Sequence, residues 1–288
     1  MSADPFVLIG QLTDTHVVDP GSNDGVSDEL YVDNNARLRS AVASLNAEAP
    51  AMAVVLGTGD LTNWGRPGEY ERLAELLEPL SVPFLALPGN HDDRDLLRAT
   101  FPSTPWVDAT HASWVTIVAG VRIVGLDSTM PDEPGGAFDD ERERWLRSVL
   151  GESHDGATLL AVHHPPFATG VGWMDGSGFI GLDRFENVLA DRSIGQPVDK
   201  VICGHFHRPV SSVVSGIPVQ VGMSTVQHVD LDLAPGAGVS LIVDPVGYQI
   251  HRIARSEGRT SLVTHSRYID TPERSSTEPI IPTWADDF

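Results

Sequence analysis

Phe6-Val7-Leu8-Ile9-Gly10-Gln11-Leu12-Thr13-Asp14-Thr15-His16 is a short apolar run that ends on an aspartate and a histidine, and the chain repeats this arrangement. Ala51 to Leu56 leads to Gly59-Asp60, and Val82 to Leu87 leads to Gly89-Asn90-His91-Asp92. Thr158 to Val162 leads to His163-His164-Pro165, and Val198 to Cys203 leads to Gly204-His205-Phe206-His207. Short runs rich in Val, Leu and Ile are the signature of strands buried on both faces.

Between these runs, Asn34 to Ala47, Pro67 to Glu78 and Phe138 to Leu150 carry apolar residues at helical spacing, as in Leu73, Leu76, Leu77 and Leu80. Strand and helix therefore alternate. In open sheets of this kind the loops after the carboxyl ends of strands gather on one edge, so the five polar segments are expected to converge there.

Trp114 to Val118 and Val121 to Leu126 flank Ala119-Gly120 and predict a hairpin. Val210 to Val214, Val219 to Val221, Val239 to Val243 and Tyr248 to Ile253 predict a meander of strands. An α/β half followed by a mostly β half points to two packed sheets with helices outside. From about Ser256 the chain turns polar, and Thr271 to Pro282 holds three prolines. Residues 1–255 are accordingly expected to form one catalytic domain. Residues 256–288 are expected to form a tail whose Ile280, Ile281, Trp284 and Phe288 dock it onto the body or a neighbouring subunit.

Nineteen Lys and Arg against forty Asp and Glu give a net charge of -21, which disfavours a nucleic-acid partner and with it a nuclease. The single cysteine, Cys203, excludes an internal disulfide and reads as a buried strand residue. No apolar run is long enough to span a membrane, and Met1 to Pro5 lacks the basic start of a secretory signal, so a soluble, cytoplasmic protein is expected.

The polar segments carry the chemistry. Asp14 and His16 alternate at a strand end and point to the same side. A carboxylate has an oxygen for each of two ions, which suits Asp60 to a bridging role. Asn90 offers a neutral oxygen, and His91 beside it is better placed to give a proton to a leaving oxygen, with Asp92 orienting it. Only one of His163 and His164 is expected to reach a metal, while His205 and His207 can bind one each. Six of the eleven histidines fall in these segments. Oxygen ligands mixed with imidazoles suit Mn, Fe, Zn or Co rather than Mg or Ca.

Taken in order, Asp-x-His, Gly-Asp, Gly-Asn-His-Asp, His and Gly-His-x-His resemble the calcineurin-like metallophosphoesterases, over roughly residues 6 to 230. The resemblance implies a four-layer α/β/β/α sandwich of two mixed sheets. It also implies a first metal on Asp14, His16, Asp60 and His207, and a second on Asp60, Asn90, His163 and His205, with Fe and Mn the leading pair. His163 is chosen because the family's ligand lies two residues before the proline.

Gly59-Asp60-Leu61-Thr62-Asn63-Trp64-Gly65, His163-His164-Pro165-Pro166 and Met223-Ser224-Thr225-Val226-Gln227 resemble more narrowly the class III cyclic nucleotide phosphodiesterases and the related bacterial glycerophosphodiesterases. That likeness implies hydrolysis of a small phosphodiester by in-line attack of a hydroxide shared by two ions. The substrate contacts expected are Asn63, His91, His164 and His228, with Trp173, Met174 and Asp175 at the organic end. The rival expectations are a glycerophosphodiesterase, a broad phosphodiesterase and a non-catalytic metal-binding scaffold. A scaffold would have lost ligands, and here every position is filled. The apolar tail and short hairpin suggest a homodimer or higher oligomer.

Overall fold

In the computed structural model the residues described are 6–19, 22, 32–48, 50–107, 110–195, 197–256 and 259–271. Two mixed sheets carry the fold. The first runs Arg259–Tyr268, Gly247–Ser256, Phe6–Leu12, Val54–Thr58, Phe84–Leu87, and its last three strands are parallel. The second runs Val210–Val214, Ile217–Val221, Lys200–Cys203, Thr158–Val162, Val121–Leu126, Trp114–Val118, with four parallel strands between two antiparallel edges.

Strand alternation sorts the apolar residues into layers. Ile9, Val54, Leu56, Ile123, Leu159, Ala161 and Ile202 share the core between the two sheets. Val55 and Ala86 turn the other way and meet Leu38, Val42, Leu73 and Leu76 of the helices Asn34–Ala47 and Pro67–Leu77. Val124, Leu160, Val162 and Val201 pack on Leu146, Phe185 and Val188 of Asp140–Gly151 and Leu182–Ala190. The result is the expected four-layer α/β/β/α sandwich. Each fully buried Leu or Val in it contributes about 1.5–3 kcal/mol.

Several boundaries differ from the sequence reading by a few residues. The helix expected from Phe138 begins at Asp140, because the Asp139 side chain accepts the Arg142 N–H and caps it. The runs from Ala51, Val82 and Val198 become strands at Val54, Phe84 and Lys200.

The larger correction is at residue 255. Arg259–Tyr268 pairs residue for residue with Gly247–Ser256, from Ser256↔Arg259 to Gly247↔Tyr268, so the first sheet continues into the segment assigned to the tail. It reads as polar because it is a sheet edge, where charged and hydroxyl side chains discourage further pairing. The docking expectation for residues 272–288 lies outside the described residues. No helix among the described residues is long and apolar enough to cross a membrane.

Candidate metal centre

All five polar segments meet at one edge of the sandwich. The loop after Phe6–Leu12 is laced to the loop after Val54–Thr58 by backbone bonds, Asp14 N to Gly59 O and His16 N to Asp60 O, both 3.0 Å. Asp14, His16, Asp60, His205 and His207 all adopt left-handed backbone, with φ of 51, 40, 50, 70 and 58°. Non-glycine residues hold that conformation at a cost of about 1–3 kcal/mol each, and such strain concentrates at functional sites. Two glycines make the close approach possible. A Cβ on Gly59 would lie 2.2 Å from His163 Nδ1, and one on Gly89 would lie 2.2 Å from Asp60 Oδ1.

The imidazoles are oriented by acceptors behind them. His163 Nδ1 donates to the Thr58 carbonyl at 2.9 Å, His207 Nδ1 to the Gln227 carbonyl at 2.6 Å, and His16 Nδ1 to Asn63 Oδ1 at 2.9 Å. A carbonyl only accepts, so in each neutral ring Nε2 is left as a lone pair facing inward. His16 Nε2 and His207 Nε2 then lie 3.1 Å apart, and His207 Nε2 is 3.6 Å from Asp14 Oδ1. Asp60 Oδ2 stands 3.3 Å from His163 Nε2 and 3.8 Å from His16 Nε2.

Lone pairs aimed at lone pairs and carboxylates require positive charge between them. The buried His163 Nε2 has no hydrogen-bond partner, as a ring waiting for a cation should. Asp14, His16, Asp60 and His207 present donor atoms within 4.8 Å of one another, as do His163, His164 and His205. The residues fit transition-metal ions by donor chemistry and by orientation.

Packed this closely, the rings and carboxylates shift one another's ionisation. Burial opposes ionisation of Asp60, but the neighbouring His163, His91 and His16 hold it well below the usual carboxylate range. Burial also opposes a charge on His163, yet Asp60 and Asp14 lift it to about 9. Burial raises Asp14, pushes His205 down to about 3, and holds His16 and His164 well below ordinary histidine.

Asn90 Oδ1 is 3.1 Å from His205 Nδ1, and both residues line one cavity with Asp60. His91 Nδ1 lies against the Asn63 carbonyl and its backbone N–H donates to Asp60 Oδ1 at 2.9 Å. Its ring lines a cavity of about 450 Å³ with His16, Asp60, Asn63, Asn90, His205 and His207. The same cavity is lined by the apolar side chains of Trp64, Trp173, Met174, Val226, Val229 and Leu241.

Four expected roles are not met. His164 is spoken for on both ring nitrogens, with Nδ1 against Ser128 Oγ at 2.8 Å and Nε2 against the Pro134 carbonyl at 3.2 Å, so it braces the centre rather than contacting substrate. His228 is absent from the cavity wall. It lines a separate hollow with Arg208, Met223, Asp244 and Tyr268, because Gln227 and Val229 take the inward positions of the extended segment.

Asp175 caps its own loop, accepting from Thr169 and Gly170. Asp92 does not orient His91. It accepts from Leu61 N, Thr62 N and Gly89 N at 3.0–3.1 Å and clamps two loops together. Burial and the charge of Asp60 push Asp92 up to about 6.

The arrangement coincides with a known pattern: residues 7–209 match the family described as calcineurin-like phosphoesterase. The chain belongs to that family. This phosphoesterase is 31% identical over 91% of its length to a probable glycerophosphodiester phosphodiesterase of Arcobacter nitrofigilis, covering 93% of that protein. It is 34% identical over 82% of its length to a probable cyclic nucleotide phosphodiesterase of Rhodopseudomonas palustris, covering 85% of that one. A purple acid phosphatase from yellow lupin shares the fold at a TM-score of 0.58 and 14% identity, over 92% of this chain and 54% of the lupin enzyme.

The sequence reading missed Trp64, Val226, Val229 and Leu241 in the cavity wall. Trp64 adjoins a metal block and could have been found there. The carbonyls of Thr58, Asn63 and Gln227 leave no signal in a sequence.

Proposed function

We propose that this phosphoesterase hydrolyses 3′,5′-cyclic nucleotides to nucleoside 5′-monophosphates at a two-ion centre. The observation that carries this reading is that Trp64, Trp173, Met174, Val226, Val229 and Leu241 line the same cavity as the histidine and aspartate cluster. Two indoles beside aliphatic side chains suit the flat face of a nucleobase, while a glycerol headgroup would gain little from them. Asp14, His16, Asp60 and His207 would hold one ion and Asp60, Asn90, His163 and His205 the other, with Fe and Mn favoured by the ligand set and Zn or Co able to substitute. When bound, such a pair supplies an activated water and neutralises charge on the phosphoryl oxygens.

The rest falls to the protein. Asp60 turns Oδ2 toward both groups of ligands while Oδ1 is held by the His91 N–H. Thr58 and Gln227 fix the tautomers of His163 and His207. His91 keeps its Nδ1 proton on the Asn63 carbonyl, so in the protonated ring it is the Nε2 proton that faces the cavity. As the oxygen of a water that has given up one proton to solvent bonds to phosphorus and the P–O3′ bond breaks, the His91 proton passes to O3′ and completes the ribose hydroxyl, and His91 takes a proton back from solvent. The diester carries a single negative charge, in keeping with a cavity that has no Lys or Arg among its described lining residues.

A glycerophosphodiester is the second reading, favoured by the Arcobacter nitrofigilis relative, whose similarity covers more of this chain than that of the Rhodopseudomonas palustris one. Incubating Mn-reconstituted protein separately with 3′,5′-cyclic AMP and glycerophosphoethanolamine, with products quantified by chromatography, tests both. AMP with little glycerol phosphate is the expected result. The reverse would replace the first reading with the second.

A further inference from the structure

A buried hydrogen-bonded chain runs from the C-terminal hairpin to the roots of two metal-ligand loops. Gln11, 1% exposed, lies three residues before Asp14. Its Nε2 donates to Thr58 Oγ1 at 2.9 Å and to the Cys203 carbonyl at 2.8 Å. Both amide protons are thereby used, and Oε1 faces His251 Nε2 at 3.0 Å. His251 Nδ1 is 2.8 Å from Thr264 Oγ1, to which Lys200 Nζ also donates.

The donor directions follow from one another. Gln11 Oε1 can only accept, so His251 carries its proton on Nε2 and leaves Nδ1 as a lone pair. Thr264 then donates to Nδ1 and receives from Lys200. Lys200, Thr264, His251 and Gln11 thus form one polarised line through the buried interior, and His251 is fully buried within it. Such a line is costly to leave half made.

Its two end points are informative. Thr58 is the residue before Gly59-Asp60, and its carbonyl receives the His163 Nδ1 proton. Cys203 is the residue before Gly204-His205, in the other sheet. One side-chain nitrogen therefore fixes the ends of two strands from different sheets, at the points where they release Asp60, His205 and His207.

We propose that Gln11 is a positioning residue of the metal centre, setting the separation of the Asp60 and His205 loops, and that His251 holds the Gln11 amide in the required orientation. The inference rests on the two-ion reading above. A plain core role for Gln11 would lower thermal stability and leave metal affinity alone, which separates the two accounts.

The test is Mn²⁺ titration of metal-free protein by calorimetry, with the visible spectrum of the Co²⁺ form as a second readout of ligand geometry. Gln11→Leu and His251→Phe keep a side chain of similar shape and remove the bonds. Leu146→Ala, on a helix behind the second sheet, serves as a control for general destabilisation. Gln11→Leu and His251→Phe are expected to bind Mn²⁺ roughly 10–100-fold more weakly, as partners behind metal ligands do, with a shifted Co²⁺ spectrum. His251→Gln, which retains an N–H for Gln11 Oε1, should recover most of the affinity.

Mn²⁺ affinities of both variants no weaker than that of Leu146→Ala would overturn the proposal. If Gln11→Leu does not fold, the His251→Phe and His251→Gln pair decides it alone. Wild-type protein that takes up no Mn²⁺ would instead overturn the two-ion reading, and this inference with it.

Discussion

His91 Nδ1 lies 2.7 Å from the carbonyl oxygen of Asn63, the residue that also orients His16 through its side chain. The carbonyl pins one ring nitrogen and leaves the other free for the cavity, and His91 stands in neither group of converging donor atoms, which supports its proposed place facing substrate rather than on a metal. His91→Ala should keep near-normal metal content by elemental analysis and lose about 10²–10⁴-fold in turnover. With a p-nitrophenyl diester, whose leaving group needs no proton, the defect should shrink. An undiminished defect would deny His91 the role of acid.

Asp60 has the opposite signature. Its Oδ2 faces His163 and His16, which belong to the two different ligand groups. Asp60→Ala should therefore empty both metal positions, and elemental analysis should show less than half of the wild-type content. Retention of one full equivalent would show that the carboxylate serves a single ion.

The apolar wall makes a prediction about substrate choice. An aromatic contact is worth about 1 kcal/mol beyond its buried area, or roughly fivefold in affinity. Trp173→Ala and Trp64→Ala should each raise KM for cyclic AMP by about that factor with kcat nearly unchanged. KM for glycerophosphoethanolamine should hardly move. An equal rise for both substrates would mean that the indoles shape the cavity without reading a base.

The candidate metal centre was legible because each segment follows an apolar run whose end must emerge at the same sheet edge, so residue type and order sufficed to bring Asp14, His16, Asp60, Asn90, His205 and His207 together, whereas the choice of His163 over His164 came from the family resemblance. What escaped depends on side-chain direction at single-residue resolution. His163 and His164 are neighbours, yet one aims at Asp60 and the other at Ser128 and Pro134. His228 was read with Gln227, but extended backbone sends adjacent side chains to opposite faces. Arg259–Tyr268 escaped because its stabilisation comes from pairing with Gly247–Ser256, a contact that polar composition conceals.

The loop that carries His91 has its own anchor, and pH should reveal it. Arg94, three residues on, grips Asp127 through Nε at 2.6 Å and Nη2 at 3.3 Å, and Asp127 also accepts from Ala112 N and Thr129. Burial would raise the Asp127 carboxyl, but the charge and bonds of Arg94, with Thr129 and Ala112, hold it below the usual range. A carboxylate depressed in the folded state adds stability that is fully present above its unfolded value of about 4 and is lost as pH falls through the folded value. Arg94→Ala leaves that carboxylate without its main partner, at a cost of about 3 kcal/mol near neutral pH. Urea unfolding of both proteins from pH 7 to pH 3 should show that gap narrowing as pH falls, because protonated Asp127 no longer needs the guanidinium. A gap that persists unchanged at pH 3 would assign the contribution of Arg94 to packing of its stem rather than to its charge.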